Sequence, residues 1–473
     1  MPARHRAHSL SLSFGQQRQW FLWQLDQSST AYHIRHALRL SGLLDVQALR
    51  AGFNGLIGRH ESLRTIFRAG ADGSAEQVIQ PVLHFDIAHV DLREVAVSER
   101  EAQAAEEAQR IVAAPFDLTR GPLLRVALVR IAEQENILVM VMHHIISDGA
   151  SMQILIDELA ARYLAHVQGE MLRFDILPIQ YADYAVWQRH WLEAGEKNRQ
   201  LTYWRDYLGT DHPVLSLPAD HPRQPIAHYQ AARHVFDLPA DMVNELRRMA
   251  QDRGATLFMA LLTGFQVLLY RHTAQQDIRV GVPIANRNRI ETAGLIGFFV
   301  NTQVLRTRLH GRMALADVLD QVREAAIDAQ ANQDLPFEQL VEALQPERSL
   351  SHSPLFQVTI NHLLRDYRAL QQLPGLTMTG YDLAEQAAQF ELILETIELP
   401  DGGVQASFIH ASELFDFRTV ERLAQHYVHI LWMLAEQPER SIADIDLLSE
   451  SDKRQLRSWG IHDQRFAATQ PVH

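Results

Sequence analysis

The sequence predicts a mixed α/β protein built of two lobes of similar construction. Its 473 residues exceed what a single hydrophobic core usually supports. Strand-like and helix-like stretches alternate in both halves. A polar, proline-bearing segment, "LSLPADHPRQPIAHYQ" (215–230), reads as a crossover between them. The expected division is a first lobe over 1–178, a second over 179–448 and a linker-like tail over 449–473.

The elements follow in order. "YHIRHALRL" (32–40) reads as a strand, and "DVQALRAGFNGLIGRH" (45–60) carries apolar residues at helical spacing. A helix is expected around 98–113, then strands over 123–131 and 137–142. Met152, Leu155, Ile156, Leu159 and Tyr163 recur every three or four residues, which predicts a helix whose first turn lies near Ser151. Beyond the crossover, helices are expected at 240–252, 256–271, 314–331 and 336–344, and strands at 277–285, 300–309, 355–361, 390–398 and 403–411. A last helix is expected at 416–436. The tail has no sustained periodicity and reads as a linker.

Composition excludes several function classes. The formal net charge of −13 opposes a general affinity for phosphate backbones, so nucleic acid is not an expected partner. Basic residues open the chain, but no apolar run of signal-peptide length follows, and no eighteen apolar residues run together. A cytoplasmic protein without a membrane partner is expected. There are no cysteines, which removes disulfides, thiolate metal ligands and a cysteine nucleophile.

The informative stretch is "ILVMVMHHIISDGASM" (137–152), where six apolar residues run into adjacent histidines on a strand-to-helix loop. Adjacent residues of an extended segment point to opposite faces, so His143 and His144 are poorly placed to share a metal ion, and no HExxH pattern is present. No metal is expected. Two readings stay open for the pair: both are buried, hydrogen-bonded core histidines, or one fixes the loop while the other handles a proton. Asp148, just past an apolar strand, needs a partner if buried. Gly149 leaves the backbone open near a helix start, where an amide is able to donate to an oxyanion. The chemistry implied is attack on a carbonyl with no protein nucleophile, that is, direct acyl transfer.

"HHIISDG" (143–149) resembles the HHxxxDG signature of condensation domains from nonribosomal peptide synthetases. "SLSFGQQRQWFLWQL" (11–25), "RHESLRTIF" (59–67), "YADYAVWQR" (181–189), "GLIGFFVNTQVLR" (294–306), "NQDLPFEQLV" (332–341) and "SHSPLFQV" (351–358) resemble that family's other motifs, in its order. The resemblance implies a pseudodimer of two chloramphenicol-acetyltransferase-like lobes in a V with a central tunnel. It implies donor and acceptor peptidyl carrier proteins delivering thioesters on phosphopantetheine arms, with no cofactor bound by the chain itself. The absent cysteine fits that arrangement.

By the same resemblance His144 is the catalytic histidine and His143 largely structural. Asp148 is held by the Arg that follows the "VGVPIANR" strand, here Arg287. Arg64, Tyr181, Asp183, Trp187, Pro336 and Phe337 are expected to be structural. Ala150, Ser151, Asn301 and Ser353 are candidates for the tunnel wall. Ala150, Asn332 and Ser353 depart from the family's usual Trp, His and Asn, which bears on the shape of that wall. "IISDG" leans toward an L-configured donor.

The rival reading within the superfamily is a starter-type domain that N-acylates from acyl-CoA, kept open because Met1 lies close to the first motif. A rival of another class is a non-catalytic docking platform. Epimerisation lacks its extra glutamate-bearing motif, and heterocyclisation lacks its DxxxxD. An adenylation domain is expected after the tail, and the isolated domain is expected to be a monomer.

Overall fold

The computed structural model describes residues 10–460, apart from 71–72, 82–83, 225–228, 346–351, 365–369, 371–372, 384–386, 400 and 449. The opening basic segment up to residue 9 and the tail over 461–473 lie outside the described residues.

The first half builds four strands of a five-stranded sheet, in the order Leu376–Gly380, His33–Gly42, Glu135–His143, Leu124–Ala132, Ala88–Asp91. Its middle strand, Glu135–His143, hydrogen-bonds on both sides and is buried from Asn136 to His143. That explains why the sequence there runs apolar instead of alternating. Each such side chain contributes about 1.5–3 kcal/mol on burial, so this strand cannot slip register without exposing several of them. The helices Val46–Arg59 and Gly149–Gln168 pack against each other beside this sheet, and a small sheet pairs Ala75–Ile79 with Leu10–Ser11 and Thr65–Ala69.

The second half builds a seven-stranded sheet in the order Asn301–Arg308, Asp277–Ile284, Val358–Leu364, Leu392–Glu398, Val404–Ala411, Tyr229–Leu238, Ala387–Ala388. Helices Ala240–Asp252, Leu257–Thr273, Leu315–Ala331 and Phe417–Glu436 join its core. The strands and helices expected from periodicity are therefore present, within a few residues at their ends.

Several features depart from that expectation. The helix Tyr181–Trp191 was expected only as a motif, while the helix Lys197–Leu208, joined to it by a π-helical turn at Leu192–Glu196, and the strand Tyr229–Leu238, which begins inside the expected crossover, were not expected. The tail begins with a helix, Glu450–Gly460, where a linker was expected, and Lys453 bonds there to Asp446 and Glu450. Finally, Leu376–Gly380, from the second half of the chain, adds to the first sheet by pairing with His33–Gly42. Leu370, Leu373 and Leu376 belong to the first core. Gly42 makes that crossing possible: its φ is +125°, and a Cβ there would sit 2.1 Å from the Gly375 carbonyl oxygen.

A third, smaller apolar cluster lies between the two cores and includes Ile179, Tyr181, Tyr184, Leu295, Phe298 and Phe299. Tyr181 is fixed there through its hydroxyl, which lies 2.8 Å from Ser13 Oγ and donates to the Phe298 carbonyl at 2.6 Å. A Cβ at Gly297 would fall 2.0 Å from the Tyr181 ring, which has no room to withdraw. Gly297→Ala should therefore lower stability by about 1–3 kcal/mol through overpacking. A urea transition at the parent's midpoint would show that the junction yields instead.

Candidate active site at the lobe junction

The strand Glu135–His143 delivers both histidines to the junction. The His143 amide donates to the Leu123 carbonyl at 3.0 Å and the His144 amide to the Tyr32 carbonyl at 2.8 Å, so the backbone is held from both sides. His143 ends the strand and is 4% exposed, edge-on to His33 and Phe116. Its Nδ1 accepts from the Ile145 amide at 3.1 Å. Burial, with His33 and His144 nearby, pulls its pKa down to about 3, so it is neutral.

His144 begins a short 3-10 turn, His144–Ile146, and is half-buried. Its Nδ1 lies 2.9 Å from the Ser147 carbonyl oxygen. A carbonyl only accepts, so Nδ1 carries the hydrogen and a neutral ring presents Nε2 as an unprotonated base. Burial lowers its pKa, an effect that Asp148 and the Ser147 bond partly offset. The Phe298 ring stands edge-on to the imidazole with centroids 4.9 Å apart.

Asp148 caps the helix Gly149–Gln168 and is 1% exposed. Its Oδ1 accepts from the Ser151 amide at 2.8 Å, from Ser151 Oγ at 2.7 Å and from Arg287 Nη2 at 3.1 Å. Its Oδ2 accepts from the Phe299 amide at 2.9 Å. Arg287 also donates through Nη1 to the Thr292 and Leu295 carbonyls, and its guanidinium stacks over Phe299 at 4.2 Å. The structure thus brings Asp148 and Arg287, 139 positions apart in the chain, into one buried pair.

The other expected residues divide. Gly149 is exposed at the helix start, and open space lies where its Cβ would be. Ala150 is half-buried in that first turn. Ser151 is not a wall residue: it is 0% exposed, and its Oγ also accepts from the Gly297 amide at 3.0 Å and from Arg287 at 2.7 Å. Asn301 lines a cavity of about 60 Å³ at the junction, but its amide is spent on the Gln333 and Leu335 carbonyls and the Phe337 amide. Ser353 lies outside the lining of that cavity; its carbonyl accepts from Gln357 Nε2. Arg64 is structural, donating to the Gln80 carbonyl at 2.6 Å.

Two contributors were not anticipated: Phe298, which lines both the imidazole and the cavity, and Arg18, which lines the cavity and pairs there with Glu338 at 3.2 Å. Phe298 stands within "GLIGFFVNT", but nothing in its spacing distinguishes it from Phe299.

Among the described residues no group of three or more His, Asp or Glu side chains is placed to hold a metal ion. No single helix there is long and apolar enough to cross a membrane.

The family model described as the condensation domain matches residues 6–457. The chain belongs to the condensation-domain family. It is 44% identical over 455 residues to one of the linear gramicidin synthase proteins of Brevibacillus parabrevis, covering 95% of this chain and 6% of that protein. It therefore spans only a small part of the curated relatives it matches. Among solved structures, the X-domain from teicoplanin biosynthesis aligns with a TM-score of 0.82 and 30% identity, over 94% of this chain and 99% of that one. The starter condensation domain of rhizomide synthetase aligns at 0.78 and 21% identity, over 93% and 98%, which speaks to the fold alone. Condensation domains are pseudodimers of two acetyltransferase-like lobes, and they are acyltransferases that form amide bonds in nonribosomal peptide synthesis.

Removing one partner of a buried pair leaves the other charge uncompensated, at about 3–5 kcal/mol. Asp148→Ala should lose stability in that range, visible as a shifted urea transition. A variant as stable as the parent yet inactive would make Asp148 a chemical participant and not a support.

Proposed function

We propose that this condensation domain joins two carrier-bound substrates, His144 acting on the acceptor's amine. In this reading the amine nitrogen attacks the donor's thioester carbonyl and forms the C–N bond, while its proton passes to Nε2 of His144. Collapse of the tetrahedral species breaks the C–S bond, and the departing thiolate takes that proton back. The products are an amide and a free thiol on the donor's arm. The single observation that carries this is the Nδ1–H bond to the Ser147 carbonyl, which leaves Nε2 as the basic atom of a half-buried ring.

An α-amine has an ordinary pKa of about 7.7–8.0, so part of it is neutral at working pH and the imidazole need not be a strong base. A general base typically supplies about 10²–10⁴-fold, and holding both thioesters at the junction supplies more. Asp148 and Arg287 support the loop, and the Gly149 amide, in the first turn of the helix, is the candidate donor to the oxyanion. The first lobe over 1–178 and the second over 179–448 would enclose a tunnel reached from two mouths by two carrier proteins, with an adenylation domain following the tail. Phosphopantetheine arms bring the substrates, and the chain itself holds no cofactor.

A docking role has one observation behind it. The X-domain neighbour is also solved in a complex with OxyB. The orientation of His144 favours chemistry over docking, because a pure platform has no use for a fixed tautomer. The starter-type alternative is settled by the same assay.

His144→Ala should lower amide formation by on the order of 10²-fold or more with folding intact, followed by mass spectrometry of the acceptor carrier after incubation with a loaded donor carrier. Near-parental turnover would sink the assignment. Transfer from acyl-CoA alone, with no donor carrier, would decide for the starter type. The pH dependence has a defined sign. His144 must be unprotonated, and burial places its pKa below the ordinary 6.5, so the ring is already neutral above about pH 7; there kcat should rise with the acceptor amine, whose ordinary pKa is about 7.7–8.0, and the histidine should add a further fall only below about 6.5. The upper midpoint should move when acceptors of lower amine pKa are used; a midpoint above 6.5 that stays fixed across such acceptors would contradict a desolvated base.

A further inference from the structure

We propose that Asn286 is a substrate-binding residue of this site, accepting the N–H of a secondary amide carried by a thioester substrate; the inference rests on the amide-forming function proposed above.

Among the described residues three non-glycine residues have positive φ: Ala274 at 57°, Asn286 at 51° and Gln345 at 45°. Ala274 and Gln345 close the helices Leu257–Thr273 and Phe337–Leu344, where a left-handed residue is ordinary and its amide returns to a helix carbonyl. Asn286 closes no helix. It follows the strand Asp277–Ile284 and immediately precedes Arg287, whose anchorage to Asp148 fixes it in place. A sparsely populated backbone conformation persists where the surroundings enforce it, and such residues gather at binding sites.

The side chain is as unusual as its backbone. Asn286 is 7% exposed, and its Oδ1 is buried without a hydrogen-bond partner. Buried amide groups nearly always have partners, and turning the amide over would merely orphan a donor instead. The residue lines the cavity of about 60 Å³ that also holds Phe298, Arg18, Glu338 and Asn301. Asn301 is saturated, and Arg18 is paired with Glu338. Gln188, the third lining amide, accepts from the Phe14 amide and donates to the Tyr184 hydroxyl, both at 3.3 Å, so among the described lining amides it is Asn286 that has a buried oxygen without a partner. Phe298 forms the shared wall between this cavity and the His144 ring.

The space is about that of two waters, enough for a few heavy atoms, and the unspent group is an uncharged acceptor beside an uncharged donor. A secondary amide offers the matching N–H and C=O together. Two sources bring one here: the phosphopantetheine arm, and the peptide bonds of a donor already elongated.

The test compares the parent with Asn286→Gly, which keeps the positive φ without strain, and with Asn286→Asp, which keeps an acceptor oxygen. Acceptor substrates are aminoacyl thioesters of N-acetylcysteamine and of pentanethiol, which match in chain length and differ in the amide. Donor substrates are thioesters with and without an internal amide. Asn286→Gly should raise KM about tenfold for amide-bearing thioesters, with kcat little changed and the amide-free compounds unaffected. Asn286→Asp should retain part of the preference. The side on which the discrimination is lost identifies the source as arm or peptide. Equal losses on amide-bearing and amide-free substrates, or no loss, would overturn the inference. If the parent forms no amide with any of these, the function proposed above fails. Binding of pantetheine and of an N-acetyl dipeptide amide followed by NMR then decides for Asn286 alone: weaker binding of either to Asn286→Gly supports it, and equal affinity for both overturns it.

Discussion

The buried pair of Asp148 and Arg287 is the constraint on which the remaining geometry depends. A carboxylate and a guanidinium taken out of water cost several kcal/mol each, and their attraction offsets that only when their remaining hydrogen-bonding capacity is filled. Here it is: Asp148 accepts from two backbone amides, a hydroxyl and the Arg, and Arg287 adds two carbonyls and an aromatic face. The net gain in stability is small beside the cost of breaking either half. What such a pair provides is position, because only one arrangement of the two lobes satisfies it.

That position is transmitted to the imidazole through the chain. Asp148 caps the helix Gly149–Gln168, and Ser151 ties the first turn to Gly297, so the loop from His143 to Asp148 is pinned at both ends. Within it, the Ser147 carbonyl faces His144 Nδ1. The carboxylate does not touch the ring. It sets the loop that sets the tautomer, and its charge moderates the desolvation that would otherwise push the imidazole's pKa lower still.

Much of this is legible in the sequence, and the limits of legibility have physical causes. The strand into "HHIISDG" and the amphipathic helix after it have strong local periodicity, which places the His loop correctly. The pairing of Asp148 with Arg287 is a contact across the chain that no local pattern encodes, and only the resemblance points to it. Ser151 looks like a wall residue because it follows the loop, but a small polar side chain beside a buried carboxylate is drawn inward to serve it. The strand Leu376–Gly380 is invisible in the sequence because its five residues are too few to establish a period, and its partner strand lies in the other lobe. Asn286 is silent there for a related reason: a left-handed backbone and an idle amide are properties of the folded molecule.

The division of labour between two adjacent histidines follows from where the sheet stops. One residue inside the edge, His143 is enclosed by His33 and Phe116, and its pKa near 3 leaves it neutral at any pH the protein meets. One residue outside, His144 keeps a partly open face and a charge-bearing neighbour, so its pKa is lowered by the same burial but with opposing contributions. Identical side chains thus become a rigid support and, in the proposed reaction, a proton acceptor by a displacement of one peptide unit. That outcome requires the strand Glu135–His143 to be locked in register, which its continuous apolar run ensures: a slip of one residue would turn every side chain to the opposite face and exchange the roles of the pair. The hydrophobicity of residues 137–142 is therefore part of the proposed site, since it decides which imidazole would meet the substrate.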